Sequence, residues 1–255
     1  MPVIRFSTQP TEELSFYHGT SATAARAILK DGARDALGEI GARDLGIEIW
    51  QALLKSGDGA SFNALFGQVG IDEQLCVAAL RQIVNPEAIS RYEYRHFYAT
   101  LNQAHGYRYA IGNPYRSELL RALAEGLMVL SRLGDPLPKT FSSRYPGVER
   151  ALCDTSGPVA LELKGIRYKR LVADNGSSRK SVDDELGMWN QMKSGSGKSY
   201  RLAFRIKKVR PSDIVAVHDL RDWRGNVPLA PWLIPESFIT KARMSPESWL
   251  SATFA

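Results

Sequence analysis

Leu14-Ser-Phe-Tyr-His-Gly-Thr20, with Ser21 and the helix-forming run Ala22 to Lys30 directly behind it, is the stretch on which the fold reading turns. It reads as a short strand closing on glycine and handing over to a helix. Ser21 is the candidate N-cap, since a serine hydroxyl can accept one of the orphan N–H groups of a first turn, and Asp31-Gly32 is the candidate stop. Working outward, Ile40, Leu45, Ile49, Leu53 and Leu54, then Leu75, Val77, Leu80, Ile83 and Val84, recur mostly at three- and four-residue spacing. That period predicts a helical stretch from Arg34 to about Glu93. Arg95 to Thr100 is strand-like, and Asn102 to Ala110 and Ser117 to Leu133 read as helix with Pro114 between them. Beyond the connector Asp135-Pro-Leu-Pro138 come short β-type runs: Val159 to Leu163, Tyr168 to Val172, Tyr200 to Ile206, Ile214 to Val217 and Ser237 to Ala242. Asn175 to Lys180 and Lys193 to Ser199 read as loops. No internal repeat and no clean linker interrupts the chain. The expectation is one α+β domain over residues 1–255, with a helical insertion at about 34–93.

Composition narrows the function classes. The 255 residues carry 44% hydrophobic and 24% charged side chains, ordinary globular usage that excludes wholesale disorder. The longest apolar stretches, such as Gly126 to Leu130, fall far short of the roughly 20 residues of a membrane span. The opening Met-Pro-Val-Ile-Arg-Phe-Ser-Thr lacks the basic and apolar regions of an export signal, so a cytoplasmic protein without a membrane partner is expected. Cys76 and Cys153 stand apart from any Cys/His cluster, which points to two buried free thiols and no metal. The net charge of +6 is unevenly placed: the segment from Lys164 to Arg210 holds 13 basic residues against four acids, a charge of +9, and the remainder carries −3. Such a segment attracts polyanions or the pyrophosphate of a dinucleotide, and it also fits a solvated basic face.

Familiar motifs fail. Ser194-Gly-Ser-Gly-Lys-Ser199 resembles a phosphate loop, but Met192 stands where G-x-x-x-x-G-K-[ST] needs glycine. His18, His96, His105 and His218 include no HExxH pair, and no G-x-S-x-G elbow occurs. Zinc-hydrolase and α/β-hydrolase readings lapse.

Three separated pieces remain. Phe16-Tyr-His-Gly-Thr20 ends the first strand, His96-Phe-Tyr-Ala-Thr100 runs into Gly106-Tyr-Arg-Tyr109, and Pro235-Glu-Ser-Phe-Ile-Thr240 lies near the C-terminus. In this order they resemble the ADP-ribosyltransferase superfamily, in its diphtheria-toxin-like branch with a His-Tyr-Glu signature. The resemblance covers about 50 residues and implies a split core of two small packed β-sheets. It implies that NAD is the substrate, without a metal, and that His18, Gly19 and Thr20 bind it. It puts Tyr98 and Tyr109 on either side of the nicotinamide, with Tyr107 a rival for the second ring. Glu236, at the head of an expected strand, is the implied catalytic carboxylate, with Glu162 and Glu185 as fallbacks.

The chemistry asks for such residues. Breaking the bond between nicotinamide and ribose leaves a cationic sugar, and a carboxylate at about 4 Å stabilises it by up to roughly 4 kcal/mol at an effective dielectric near 20. Aromatic rings hold the cationic pyridine. A glycine leaves its backbone open to the nicotinamide amide, and a histidine can hydrogen-bond the adenosine ribose. Plainer readings stand beside these: a turn for His18-Gly19, a core ring for Tyr98, and an edge-strand charge for Glu236. Ile234 stands two residues before Glu236, where the arginine-modifying branch carries an acid or amide, which weakens an arginine acceptor. The same opening also resembles the much shorter rifamycin-modifying transferases, which have little use for the basic segment. The expected function is a bacterial, toxin-like mono-ADP-ribosyltransferase acting on a macromolecule, with nucleic acid slightly favoured over protein. An antitoxin or immunity protein is a further implied partner. The alternatives are an NAD glycohydrolase and a nonenzymatic nucleic-acid-binding protein.

Overall fold

The computed structural model describes residues 11–33, 39–56, 73–84, 97–115, 117–173, 179–193, 203–224 and 234–254. The chain forms two compact units: Met1–Arg34, His96–Gly112 and Ser156–Ala255 in one, and Asp35–Arg95 and Asn113–Thr155 in the other. The architecture is mixed α and β, as expected. The helical unit is larger than the expected insertion, because it also takes residues 113–155.

The first unit is built on strands β1 (Phe16–Ser21), β2 (Phe97–Thr100), β3 (Pro158–Leu163), β4 (Leu171–Ala173), β5 (Ala203–Ile206), β6 (Ile214–Asp219) and β7 (Arg243–Met244). They form one open sheet in the order β4-β5-β2-β1-β3-β6-β7, antiparallel at every paired edge. One seven-stranded sheet therefore stands where two small packed sheets were expected. Alternation along the strands sorts the side chains onto two faces. Phe16, Leu161, Leu163, Phe204, Ile206 and Val217 share one apolar face and are all buried. Against it pack α1 (Ala22–Asp31), α8 (Arg179–Lys193) through Val182, and α10 (Pro246–Phe254) through Trp249. Burying each large side chain here is worth about 2 kcal/mol. The opposite face carries Tyr17, Gly19, Tyr98, Glu162 and His218 by the same alternation. Helices α4 (Gln103–Gly112) and α9 (Glu236–Ala242) share a small apolar cluster with Ala160 of β3.

The other unit is helical: α2 (Ala42–Ser56), α3 (Glu73–Val84), α5 (Glu118–Arg132), α6 (Leu137–Arg144) and α7 (Pro146–Leu152). Leu45, Ile49, Leu80, Leu119, Leu123, Leu130 and Val148 make its core. Glu48 of α2 accepts hydrogen bonds from Arg144 and from the Tyr145 hydroxyl at 2.8 Å, which ties it to the α6–α7 junction. Among the described residues no helix is long and apolar enough to cross a membrane.

The capping expectation at α1 holds. Ser21 Oγ accepts the Ala24 N–H at 3.2 Å, and Gly32 ends the helix at φ 77°, which favours glycine. Other expectations need correcting. Residues 237–242 are helix rather than strand, because Glu236 follows Pro235 in the first turn and Phe238, Ile239 and Ala242 share one buried side. The β-branched pair Ile239-Thr240 misled the reading. Helix α8 overlaps the expected loop at 175–180, and its Val182, Leu186 and Trp189 meet the core at helical spacing. α6 begins inside the expected connector 135–138, and α6 and α7 occupy residues up to 152, where no element is expected. Tyr168–Arg170 is a single 3-10 turn before β4. Cys76 is buried, donating to the Ala122 carbonyl at 3.3 Å, but Cys153 is exposed. Residues 34–38, 57–72 and 85–93 of the expected insertion, residues 94–96 including His96, the stretch 194–202 and residues 174–178 lie outside the described residues.

Candidate active site

The site forms where β1 leaves β2. These strands share one register pair, Tyr17 with Thr100. An unbroken antiparallel ladder would next set Gly19 across from Tyr98. Instead the pairing stops, and the His18 side chain takes over: its Nδ1–H donates to the Tyr98 carbonyl at 2.6 Å while its ring stacks on Phe97, centroids 4.0 Å apart. Burial pushes the His18 imidazole down to about 4, against the hydrogen bond to Tyr98, so near neutrality Nδ1 is the donor and Nε2 an acceptor.

Helix α4 lies over this point at backbone contact distance. A Cβ added at Gly19 would collide with the Gly106 carbonyl and lie 2.6 Å from the Ala110 nitrogen and 2.9 Å from Tyr109 Cβ. A Cβ on Gly106 would in turn lie 2.6 Å from Tyr17 Cβ. Two glycines thus let helix and strand touch, and the contact sets Tyr109, 40% exposed, beside Gly19. Asn102 starts α4, its Oδ1 accepting the Ala104 N–H at 3.0 Å. The structure therefore brings Gly19, Tyr98 and Tyr109 to one face of the sheet, whereas His18, paired with Leu161 and stacked on Phe97, projects from the other and reaches only the Tyr98 backbone. Thr20 is buried on the apolar face beside Val159. Tyr107, one of the two rings proposed for the second stacking position, is fully buried and so has no face open to a ligand. Glu236 is exposed at the start of α9, not on a strand. Glu185 is buried on α8, which packs on the apolar face.

Beneath α4 lies a polar chain that the motifs did not reveal. Gln103 Nε2 donates to the Tyr107 hydroxyl at 3.0 Å, and Tyr107 meets His218 Nδ1 at 2.7 Å. His218 Nε2 meets Glu162 Oε2 at 3.2 Å, and that oxygen also accepts from Arg243 Nε at 2.9 Å. Ser15 donates to Glu162 Oε1 at 3.0 Å, and Lys164 Nζ stands 3.9 Å from it. Burial pushes the Glu162 carboxyl up, but hydrogen bonds from His218, Arg243 and Ser15, with the Arg243 charge, outweigh it and hold the group at about 2. Tyr17, packed edge-on to His218 at 5.8 Å, is pushed up to about 12 by burial and by Glu162. Glu162 is an ionised anchor with both oxygens engaged, and so poorly placed to move toward a sugar. The signal in the sequence was an acid between Leu161 and Leu163, and a histidine ending the apolar run Ile214 to Val217.

Because its native pKa lies below the ordinary value of 6.5, His18 contributes stability in full above about pH 6.5 and loses it as pH falls toward 4. Urea unfolding at pH 7, 6, 5 and 4 is expected to show that decline. His18→Asn, which can still donate to the Tyr98 carbonyl, should flatten it; an equal decline in the variant would place the titrating group elsewhere.

Among the described residues no cluster of three or more His, Cys, Asp or Glu is arranged to hold a metal ion. Comparison with protein-family models, with curated proteins and with solved structures returned no match.

Proposed function

We propose that the chain transfers ADP-ribose from NAD to a macromolecular acceptor and releases nicotinamide. The observation that carries this reading is the placing of Gly19, Tyr98 and Tyr109 on one face at the parting of β1 and β2, where His18 holds the Tyr98 carbonyl from the other side. An exposed tyrosine stands against a glycine, and a second tyrosine sits on the same face one strand away, which suits a flat cationic ring between them. His18 fixes the Tyr98 backbone, and so the position of that ring, through its Nδ1–H. In the reaction the bond from ribose C1″ to the nicotinamide nitrogen breaks and its electron pair leaves with nicotinamide. The cationic sugar is stabilised by the Glu236 carboxylate, which also accepts from the 2′-hydroxyl. A lone pair of the acceptor then closes on C1″ and sheds its proton to solvent.

Nicotinamide released from NAD by the purified chain, with and without cell lysate, is the test. Glu236→Gln is expected to slow release by about 10²- to 10³-fold, the usual effect of removing one charge-stabilising group. Its melting temperature should stay unchanged, since the side chain is exposed. No release from the parent chain in either condition, or undiminished release from Glu236→Gln, would overturn the proposal. Steady NAD loss with no label incorporated into protein or nucleic acid would show water as the acceptor.

A further inference from the structure

The +9 segment is not scattered over the fold. Two of its described stretches, 164–170 and 207–210, converge on one surface of the sheet-bearing unit through backbone hydrogen bonds. Lys164 N–H donates to the Asp213 carbonyl at 2.9 Å, and Lys207 N–H to the Arg170 carbonyl at 2.9 Å. The Arg170 N–H reaches back to Arg167 at 2.8 Å. Arg210 N–H donates to Asp213 Oδ2 at 2.7 Å. Two chain segments, 164–170 and 207–213, are thereby laced side by side. Lys164, Arg167, Lys169, Lys207, Lys208 and Arg210 are all exposed along them, whereas Ile166 and Val209 turn into the core.

A largely buried ion pair holds the strip. Arg170, mostly buried, takes Asp213 with two nitrogens at 3.1 and 2.6 Å. The same guanidinium donates to the carbonyls of Lys207 at 3.2 Å and Lys208 at 2.5 Å. This ion pair cancels Asp213, the acid within the two segments, and clamps the lysine turn; of the six cations Lys164 also stands 3.9 Å from Glu162. Lys208 sits at φ 56°, the only non-glycine residue with positive φ among those described. In an extended chain, neighbouring side chains point to opposite sides. The left-handed turn instead leaves Lys207 and Lys208 both outward while Val209 is buried. Backbone strain of this kind is costly and persists where the surroundings hold it in place.

We infer that this strip is a docking surface for the phosphate backbone of nucleic acid. Neutralising phosphates needs cations on a fixed scaffold and little else. Binding to a membrane surface also buries an apolar face, and a protein interface has an aromatic or aliphatic centre. Neither accompanies these six cations within the two segments, whose other exposed residues are Gly165, Pro211 and Ser212. The inference does not depend on the transferase reading; within that reading it names the acceptor class.

Fluorescence anisotropy of the full chain with a labelled 20-nucleotide single strand, DNA and RNA in separate arms, tests it. Contacts to about five phosphates should weaken binding about a hundredfold between 50 and 200 mM salt. Lys207→Ala with Lys208→Gly removes two charges and keeps a residue suited to positive φ; it should lower the slope of log affinity against log salt by about 1.4, at about 0.7 per contact on a single strand. Lys55→Ala with Lys139→Ala removes the same charge from the helical unit and should leave the slope as it was. Equal loss in both double variants, no binding at 50 mM salt, or tighter binding to phosphatidylserine vesicles or a polyglutamate peptide than to either strand would overturn the inference. None of these readouts involves NAD, so they fail or succeed apart from the nicotinamide assay.

Discussion

Gly19→Ala is expected to cost about 3 kcal/mol or more of folding stability, because the new methyl meets backbone rather than a side chain that could swing away. The atoms in its path are the Gly106 carbonyl, the Ala110 nitrogen and Tyr109 Cβ, all on α4. Relief requires α4 to move off β1, and α4 carries Tyr109 and the Tyr107 link to His218. Equilibrium urea unfolding reads the loss. Gly165→Ala is a useful contrast, since nothing lies within 4 Å of a Cβ there, although its φ of 69° still disfavours alanine. If Gly19→Ala proved as stable as the parent, the close approach of helix and strand would be wrong, and with it the placing of Tyr109 beside Gly19. This test concerns geometry and holds whatever the chain catalyses.

Glu162→Gln is expected to destabilise the fold by about 2 kcal/mol at pH 7, in the range found when a buried charged acceptor is lost while its donors remain; Glu162 is buried, although its partner Arg243 is half exposed. The amide cannot satisfy the donors of His218, Arg243 and Ser15 together, and it removes the charge that balances Arg243. The pH dependence identifies the cause. With a native pKa held near 2 against an ordinary 4.5, Glu162 contributes stability in full above about pH 4.5 and loses it as pH falls toward 2. The gap between parent and variant should therefore be widest near neutrality and close in acid. Urea melts at pH 7, 4.5 and 3 measure it. A gap that stayed constant with pH would mean a packing defect rather than a lost charge.

Much of the architecture was legible because it depends on neighbours along the chain. The cap at Ser21, the stop at Gly32 and the strands around 16–21, 159–163 and 214–217 follow from short-range rules, and the structure honours them. Where those rules conflict, the local sequence points the wrong way. At 237–242 the β-branched residues outvoted the Pro-Glu start and the helical spacing of Phe238, Ile239 and Ala242. At 179–193 polar residues hid the stripe of Val182, Leu186 and Trp189. Glu162 is the clearest case within the site: its position between two leucines marked it as unusual, but its partners come from residues 15, 218 and 243.

By itself the sequence determined the mixture of helix and strand, the asymmetric charge, and the residue types that could bind a cationic ring. Periodicity, caps and composition are local quantities, which one chain carries in full. Only the tertiary structure decided that seven strands form one sheet, that Tyr107 is buried while Tyr109 is exposed, and that Glu162 is anchored at its centre. Those outcomes depend on which backbone approaches which, here on two glycines 87 residues apart that let α4 rest on β1, and no spacing within a segment encodes that contact.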